Sequence, residues 1–440
     1  MDWAWYETFA LMVGAVLVLM GIGLPVAIAF FAVNILGVWL FMGGMMGVDQ
    51  FMTNATASIT NFSLVPVPLF LLMGELFFNT GLARKVFDAL DKLLGGIKGR
   101  LSYLTVGGGT LFATLSGSSM ANTAMLGASL TPDMMQRGYK KHMIIGPIIA
   151  TGGLAMIIPP STLAVLLGSL GRIDVGALLI AGLVPGLLLA VFYIITIRLQ
   201  IAHDPSAAPG YDAERAPWRD VVRALVLDVL PMGLVVFCVV GLILLGWATP
   251  TESAAFGALA VVILALWKRS LTLEAVIRSF RGTLLVSGMM LMIILGSTTF
   301  SQILAFSGAS AGMIQWATQL EMHPYWILLS MFLVLLLLGM FMDQLSIMML
   351  TLPIFIPLIT SLQFDPVWFG VIMLIALEMS LITPPFGLLL FVMVGVGPPG
   401  TRIGEVVYAA LPYLACTLLL VLLLVLFPGL ALWLPNWMLP

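Results

Sequence analysis

GGLAMIIPPSTLAVLLG (residues 152–168) and LEMSLITPPFGLLLFVMVG (residues 377–395) are long apolar stretches, each interrupted by a proline pair, Pro159-Pro160 in one and Pro384-Pro385 in the other. The pairs lie 225 residues apart, and the same interval relates Gly21 to Gly246, Pro25 to Pro250 and Pro132 to Pro357. Proline removes a helix N–H and clashes with the preceding turn, so each doublet breaks an apolar helix and leaves carbonyls unpaired. A recurring unit with a broken helix at the same place in each copy is the pattern of a transport site near the bilayer midplane.

Composition sets the class. The 440 residues are 61% hydrophobic and 9% charged, with mean hydropathy +1.14. Soluble globules of this length carry far more charge. Several apolar runs exceed the roughly 18 residues of a membrane helix, whereas a β-barrel would show short alternating segments. The sequence therefore predicts an all-α polytopic membrane protein. The N-terminus has two acids and no base before its first apolar run, unlike a cleavable leader. The two cysteines, Cys238 and Cys416, suggest neither a disulfide framework nor a metal cluster.

Sixteen of the 18 Lys and Arg residues fall in 84–100, 137–141, 198–223 and 268–281, and only Arg172 and Arg402 lie elsewhere. The positive-inside rule puts these regions on the cytoplasmic face. Shifted by 225 residues, each of 84–100, 137–141 and 268–281 lands on a stretch without Lys or Arg. The copies are therefore expected to have opposite orientation, an inverted repeat. Residues 1–200 form the first copy, 201–224 a cytoplasmic connector, and 225–440 the second. Each has five helices, one re-entrant hairpin (101–131 and 326–357) and a broken helix (143–170 and 368–395), with both termini on the outer face. Residues 101–131 have basic flanks on both sides. About 45 Å of helix is too short to cross a ~30 Å core twice, so the stretch enters and returns.

The first hairpin turns at TLSGSSMANTAMLG (114–127). Non-helical backbone at membrane depth survives only against protein or a wet cavity. Ser116, Gly117, Ser118, Ser119, Asn122 and Thr123 supply flexibility and oxygen donors suited to a small hard cation such as Na⁺, although small residues also serve close helix packing. The equivalent turn is GMFMDQLS (339–346), where Asp343 stands opposite Ser118, between Met342 and Gln344. An Asp in such a run costs about 2.5–3.5 kcal/mol on insertion scales, so it needs a partner, and a cation fits. At the breaks, Pro159, Pro160, Ser161, Thr162, Thr383, Pro384, Pro385 and Gly387 offer carbonyls and hydroxyls. Na⁺ is expected at Ser118, Asp343 and Thr383. Glu378 is a possible further site residue or part of a proton path. Glu75 and Glu252 could each bond a partner helix, and Asp228 is expected at the cytoplasmic interface. No basic residue lies deep, so a substrate anion would rest on helix dipoles, hydroxyls and bound cations unless Arg172 or Arg402 reaches in. GVGPPG (395–400) and TVGGGT (105–110) lack a phosphate-loop lysine, so no ATP is used. Neither a nucleophile–base pair nor a continuous polar pore is visible, which weighs against a hydrolase and a channel.

SGSSMANTAMLG (116–127), Gly138-Tyr139, ATGGLAMIIPPS (150–161), GMFMDQLSIMMLTLPIFIPL (339–358), FDPVWFG (364–370), ITPPFGLLLFVMVGV (382–396) and the opening MGIGLPVAIAF (20–30) resemble the large permease subunit of tripartite ATP-independent periplasmic (TRAP) transporters, the DctM-like family. The resemblance covers nearly the whole chain. It implies Na⁺-driven uptake of an organic anion by an elevator-type fold in the bacterial inner membrane. It also implies a small four-helix membrane subunit and a periplasmic substrate-binding protein as partners, with no nucleic acid. LAM at 154–156 and Glu378 depart from the usual pattern. A divalent-anion/Na⁺ symporter working without a binding protein is the alternative, weakened because the second tip lacks a Ser-Asn-Thr triplet.

Overall fold

A computed structural model describes residues 3–94, 97–209, 217–319, 322–384 and 387–438. Those residues form twenty helices and no strand. Eight helical stretches among them, two of which (Phe62–Asn79 and Lys141–Gly171) join neighbouring segments, are long and apolar enough to cross a membrane.

The first half runs α1 (Trp5–Gly21), α2 (Val26–Phe41), α3 (Met45–Ile59), α4 (Pro66–Asn79), α5 (Leu82–Leu94), α6 (Arg100–Ser116), α7 (Ser119–Gln136), α8 (Lys141–Ile157), α9 (Thr162–Gly171) and α10 (Val175–His203). The second runs α11 (Trp218–Leu244), α12 (Pro250–Trp267), α13 (Leu273–Phe306), α14 (Ala309–Gln319), α15 (Pro324–Gly339), α16 (Gln344–Ser361), α17 (Pro366–Ile382), α18 (Leu388–Val396), α19 (Ile403–Leu426) and α20 (Gly429–Met438). At the interval of 225 residues, α7 and α16 coincide end for end, as do α8 and α17.

Four elements differ from the sequence expectation. The stretch 84–100, expected as a loop, is largely α5, whose buried face (Leu82, Ala83, Val86, Phe87, Ala89) alternates with exposed charge at helical spacing. The stretch 43–56, which the charge pattern leads one to expect on the outer face, is mostly α3, where α3 and α4 stand against the single long α13. The third helix of the second half begins at Leu273, within the basic stretch 268–281, capped by the Thr272 hydroxyl accepting from the Ala275 amide at 3.1 Å. A final helix, α20, adds to the five helices and one hairpin expected of the second copy.

The core is built on the two broken helices. Every residue of α8 from Met143 to Ile157 is buried, as is every residue of α17 from Trp368 to Ile382. Helices that are apolar all round belong in the interior. The α8 helix packs against α6, α7, α10, α17 and α19, while α17 packs against α15, α16, α10 and α19. A second group, α1–α4 with α11–α13, packs mainly within itself and meets the core through α4 against α6 and α9 and through α13 against α16.

Contacts sort the loops into two ends. Lys141 pairs with Glu405 at 2.9 Å, the Lys140 amide donates to the Ala207 carbonyl at 2.9 Å, and Lys268 pairs with Asp228 at 2.7 Å. The Lys140 ammonium and Ser206 hold the Asp204 carboxyl down to about 2. At the other end Trp5 meets Trp316, Asn54 donates to Gln302 at 2.7 Å, Ser169 donates to the Ser63 carbonyl at 2.9 Å, and the Trp368 indole donates to the Leu424 carbonyl at 2.8 Å. Glu252 does not bond a partner helix: its carboxylate takes the amide (2.8 Å) and hydroxyl (2.9 Å) of Thr249, capping its own helix.

Candidate functional site between the hairpin tips

Each hairpin is closed by a short polar cap. Gly117 ends α6 in the left-handed region (φ +58°), where a side chain would be strained, and its missing Cβ leaves room for Thr162. Ser118 then caps α7, its hydroxyl accepting from the Ala121 amide at 3.4 Å. Asp343 has the equivalent place on α16: its carboxylate accepts from the Ser346 amide at 3.2 Å and from the Ser346 hydroxyl. The partner that Asp343 needs is thus supplied within its own helix cap. It is half-buried on a cavity wall and not enclosed by the apolar run. Ser161 caps α9 in the same manner, accepting from the Ala164 amide at 3.1 Å.

The first tip seats on the first helix break. Thr162 Oγ1 donates to the Gly117 carbonyl at 2.9 Å. Behind it, Asn122 Nδ2 donates to the Thr151 carbonyl at 3.2 Å, and a Cβ on Gly152 would collide with Thr123 Oγ1. The two tips meet at Glu378, a buried residue of α17. Ser119 Oγ donates to Glu378 Oε2 at 2.7 Å and Gln344 Nε2 donates to the same oxygen at 3.2 Å. Gly153 makes space for this carboxylate, since a Cβ there would stand 2.4 Å from Oε1. Hydroxyl or carbonyl oxygens of Ser116, Asn122, Thr123 and Thr151, with Glu378 Oε1, are buried without a hydrogen-bond partner among the described residues. Buried polar atoms are rarely left so.

Ser116, Gly117, Ser118, Ser119, Thr162, Asp343 and Gln344 line a cavity of about 750 Å³, the size of a small-molecule site. It runs toward the basic end, bounded by Asn79, Ser129 and Val396. The outer wall is α4 and α13, through Glu75, Phe78, Asn79, Met289 and Met290. Asn122, Thr123, Pro159, Pro160 and Ser161 stand behind this surface. Met342 is buried away from it, and Thr383 donates its hydroxyl to the Met379 carbonyl at 2.7 Å. Thr383, Pro384 and Gly387 are thus not brought to the cavity with Ser118 and Asp343. Pro385 lies outside the described residues. Arg172 and Arg402 are exposed, and neither lines the cavity. Glu75, Asn79 and Ser129 are polar lining residues that the site expectation omitted. An acid in a membrane helix was the only signal for the first two.

A helical membrane bundle with broken helices and with hairpin tips that line a cavity of small-molecule size is the build of a membrane transporter. The solved transporter YdaH of Alcanivorax borkumensis has this fold, with TM-score 0.62, 15% identity and 89% of each chain covered. Residues 13–430 match the family described as tripartite ATP-independent periplasmic transporter, DctM component. Among curated relatives, the C4-dicarboxylate TRAP transporter large permease protein of Pseudomonas aeruginosa is 32% identical over 379 residues, 86% of this chain and 87% of that one. The ectoine TRAP transporter large permease protein of Halomonas elongata is 28% identical over 428 residues, 97% and 98% of the two chains. The chain belongs to the DctM family of TRAP large permease subunits, and it is a transporter subunit of the inner membrane rather than an enzyme.

Proposed function

We propose that this subunit carries out Na⁺-coupled uptake of a small carboxylate-bearing organic acid, handed over by a periplasmic binding protein and braced by a small four-helix membrane subunit. The observation that carries the reading is the meeting of both hairpin tips on Glu378 beside the cavity they line. The unpartnered buried oxygens of Ser116, Asn122, Thr123 and Thr151 suit a hard cation, and Ser118 and Asp343 add oxygens at the tips. With Na⁺ as cargo beside them, the first-turn amides of α7 can receive a carboxylate without a basic side chain.

The inverted repeat of 1–200 and 225–440, joined by 201–224, is proposed on the same footing. It is supported by the recurrence of α7–α8 as α16–α17 and by the pairing of Lys141 with Glu405, which an opposed second copy puts at one end. Alternating access would then move the core that carries the tips and broken helices against the wall of α4 and α13. The cavity's course toward the basic end fits the inward-facing stage of an elevator cycle. Family membership displaces the stand-alone symporter reading.

The test is uptake into proteoliposomes holding this chain with its small subunit, in the presence of the cognate binding protein. Uptake should require external Na⁺ and the binding protein. Equal uptake with K⁺ replacing Na⁺ would remove the coupling.

A further inference from the structure

The cavity is electrically lopsided. Two carboxylates, Glu75 and Asp343, line it, and among the described residues no lysine or arginine does. A solute carrying only negative charge meets like charge there, while one that also carries a positive nitrogen does not. The two acids stand differently. Asp343 caps α16 through the amide and hydroxyl of Ser346. Glu75 sits on the opposite wall and takes one neutral bond, from Asn79 Nδ2 at 3.0 Å, Asn79 also reaching Ser279 at 3.0 Å. Gly282 of α13 makes room for that carboxylate, because a Cβ there would lie 2.8–3.0 Å from its carboxyl atoms.

The surroundings of Glu75 suit a cationic nitrogen. Phe78, one helical turn on, lines the same wall with Met289 and Met290 of α13, and Phe112 of α6 also lines the cavity. Ring faces and polarisable sulfur next to a carboxylate receive ammonium groups. The tip has the opposite preference. It presents the start of α7 and Ser116, a cavity-lining residue 7% exposed whose buried hydroxyl has no hydrogen-bond partner among the described residues. These ends are close, since Gly74 packs against the Leu115 and Ser116 carbonyls and Glu75 is the next residue.

We infer that Glu75 is a specificity-determining residue holding the cationic nitrogen of a small zwitterionic carboxylate, while the hairpin tip takes its carboxylate. The inference rests on the cavity being the substrate site, and it narrows the substrate class from organic acids in general to those with an amino or quaternary ammonium group.

The test is binding, by thermal shift and by equilibrium dialysis, to the purified complex of this chain with its small subunit in Na⁺. The probes are 4-aminobutyrate, its trimethylammonium analogue, and glutarate, the dianion of similar length. The zwitterions should bind and glutarate at least tenfold more weakly. Glu75→Gln should weaken the zwitterions at least tenfold and close the gap to glutarate, while Glu75→Asp keeps the order of preference. Glutarate binding as tightly as the zwitterions, no binding of either zwitterion, or unchanged zwitterion binding in Glu75→Gln overturns the inference. Ala128→Cys, on the cavity wall away from both ends, separates this from failure of the cavity reading. Its modification by a bulky maleimide should stop uptake, and unimpaired uptake after full labelling would dismiss the cavity itself.

Discussion

Gly117, Gly153 and Glu378 show how single residues hold the tips together. Alanine at Gly117 would be forced into the left-handed region at a cost of about 1–2 kcal/mol, with its Cβ 3.1 Å from Thr162. Gly117→Ala should therefore lower uptake several-fold while the protein remains folded and membrane-inserted, as followed by transport rate and gel-filtration profile. Glu378 accepts from both tips through one oxygen. Glu378→Ala strands the Ser119 and Gln344 donors, each a loss of about 1–3 kcal/mol when buried. Glu378→Gln keeps an oxygen to accept them. Alanine should abolish uptake and glutamine retain a substantial part of it. Equal loss in both would mean that the charge, and not the acceptor, is what matters.

The elements were legible to unequal degrees. The broken helices announced themselves through Pro159-Pro160 and Pro384-Pro385, because proline's effect on a helix is local. The hairpin turns were readable from Gly117, Ser118 and Asp343 for the same reason, and the caps of α7 and α16 begin at the equivalent positions. The amphipathic α5 and the outer α3 were hidden, since their charge or polarity resembles that of loops in a chain otherwise so apolar. The contact of Ser119 with Glu378 could not be read at all: 259 residues separate them, and only the packing of both α7 and α17 against α8 brings them together. Equally invisible was the placing of Thr383 on its own helix, away from the cavity. The faces assigned to the elements are testable. Lys141→Cys/Glu405→Cys should cross-link at the cytoplasmic face, where an impermeant thiol reagent added inside, and not outside, blocks it. Trp5→Cys/Trp316→Cys should show the reverse accessibility. The same sidedness for both pairs would break the inverted topology.

For the molecule as a whole, the proposed mechanism has the core of α6–α10 and α15–α19 carry the cargo, with α1–α4 and α11–α13 as the wall it works against. In the proposed mechanism both tips would contribute to one Na⁺-dependent site, although only the second brings an acid to its turn. The most direct measurement of that claim is the Na⁺ titration of uptake in proteoliposomes for the wild-type complex, Ser118→Ala and Asp343→Ala. The half-saturating Na⁺ concentration should rise at least several-fold in both variants, and more in Asp343→Ala, which removes a charge. Titration curves for both variants that superimpose on the wild type would contradict it.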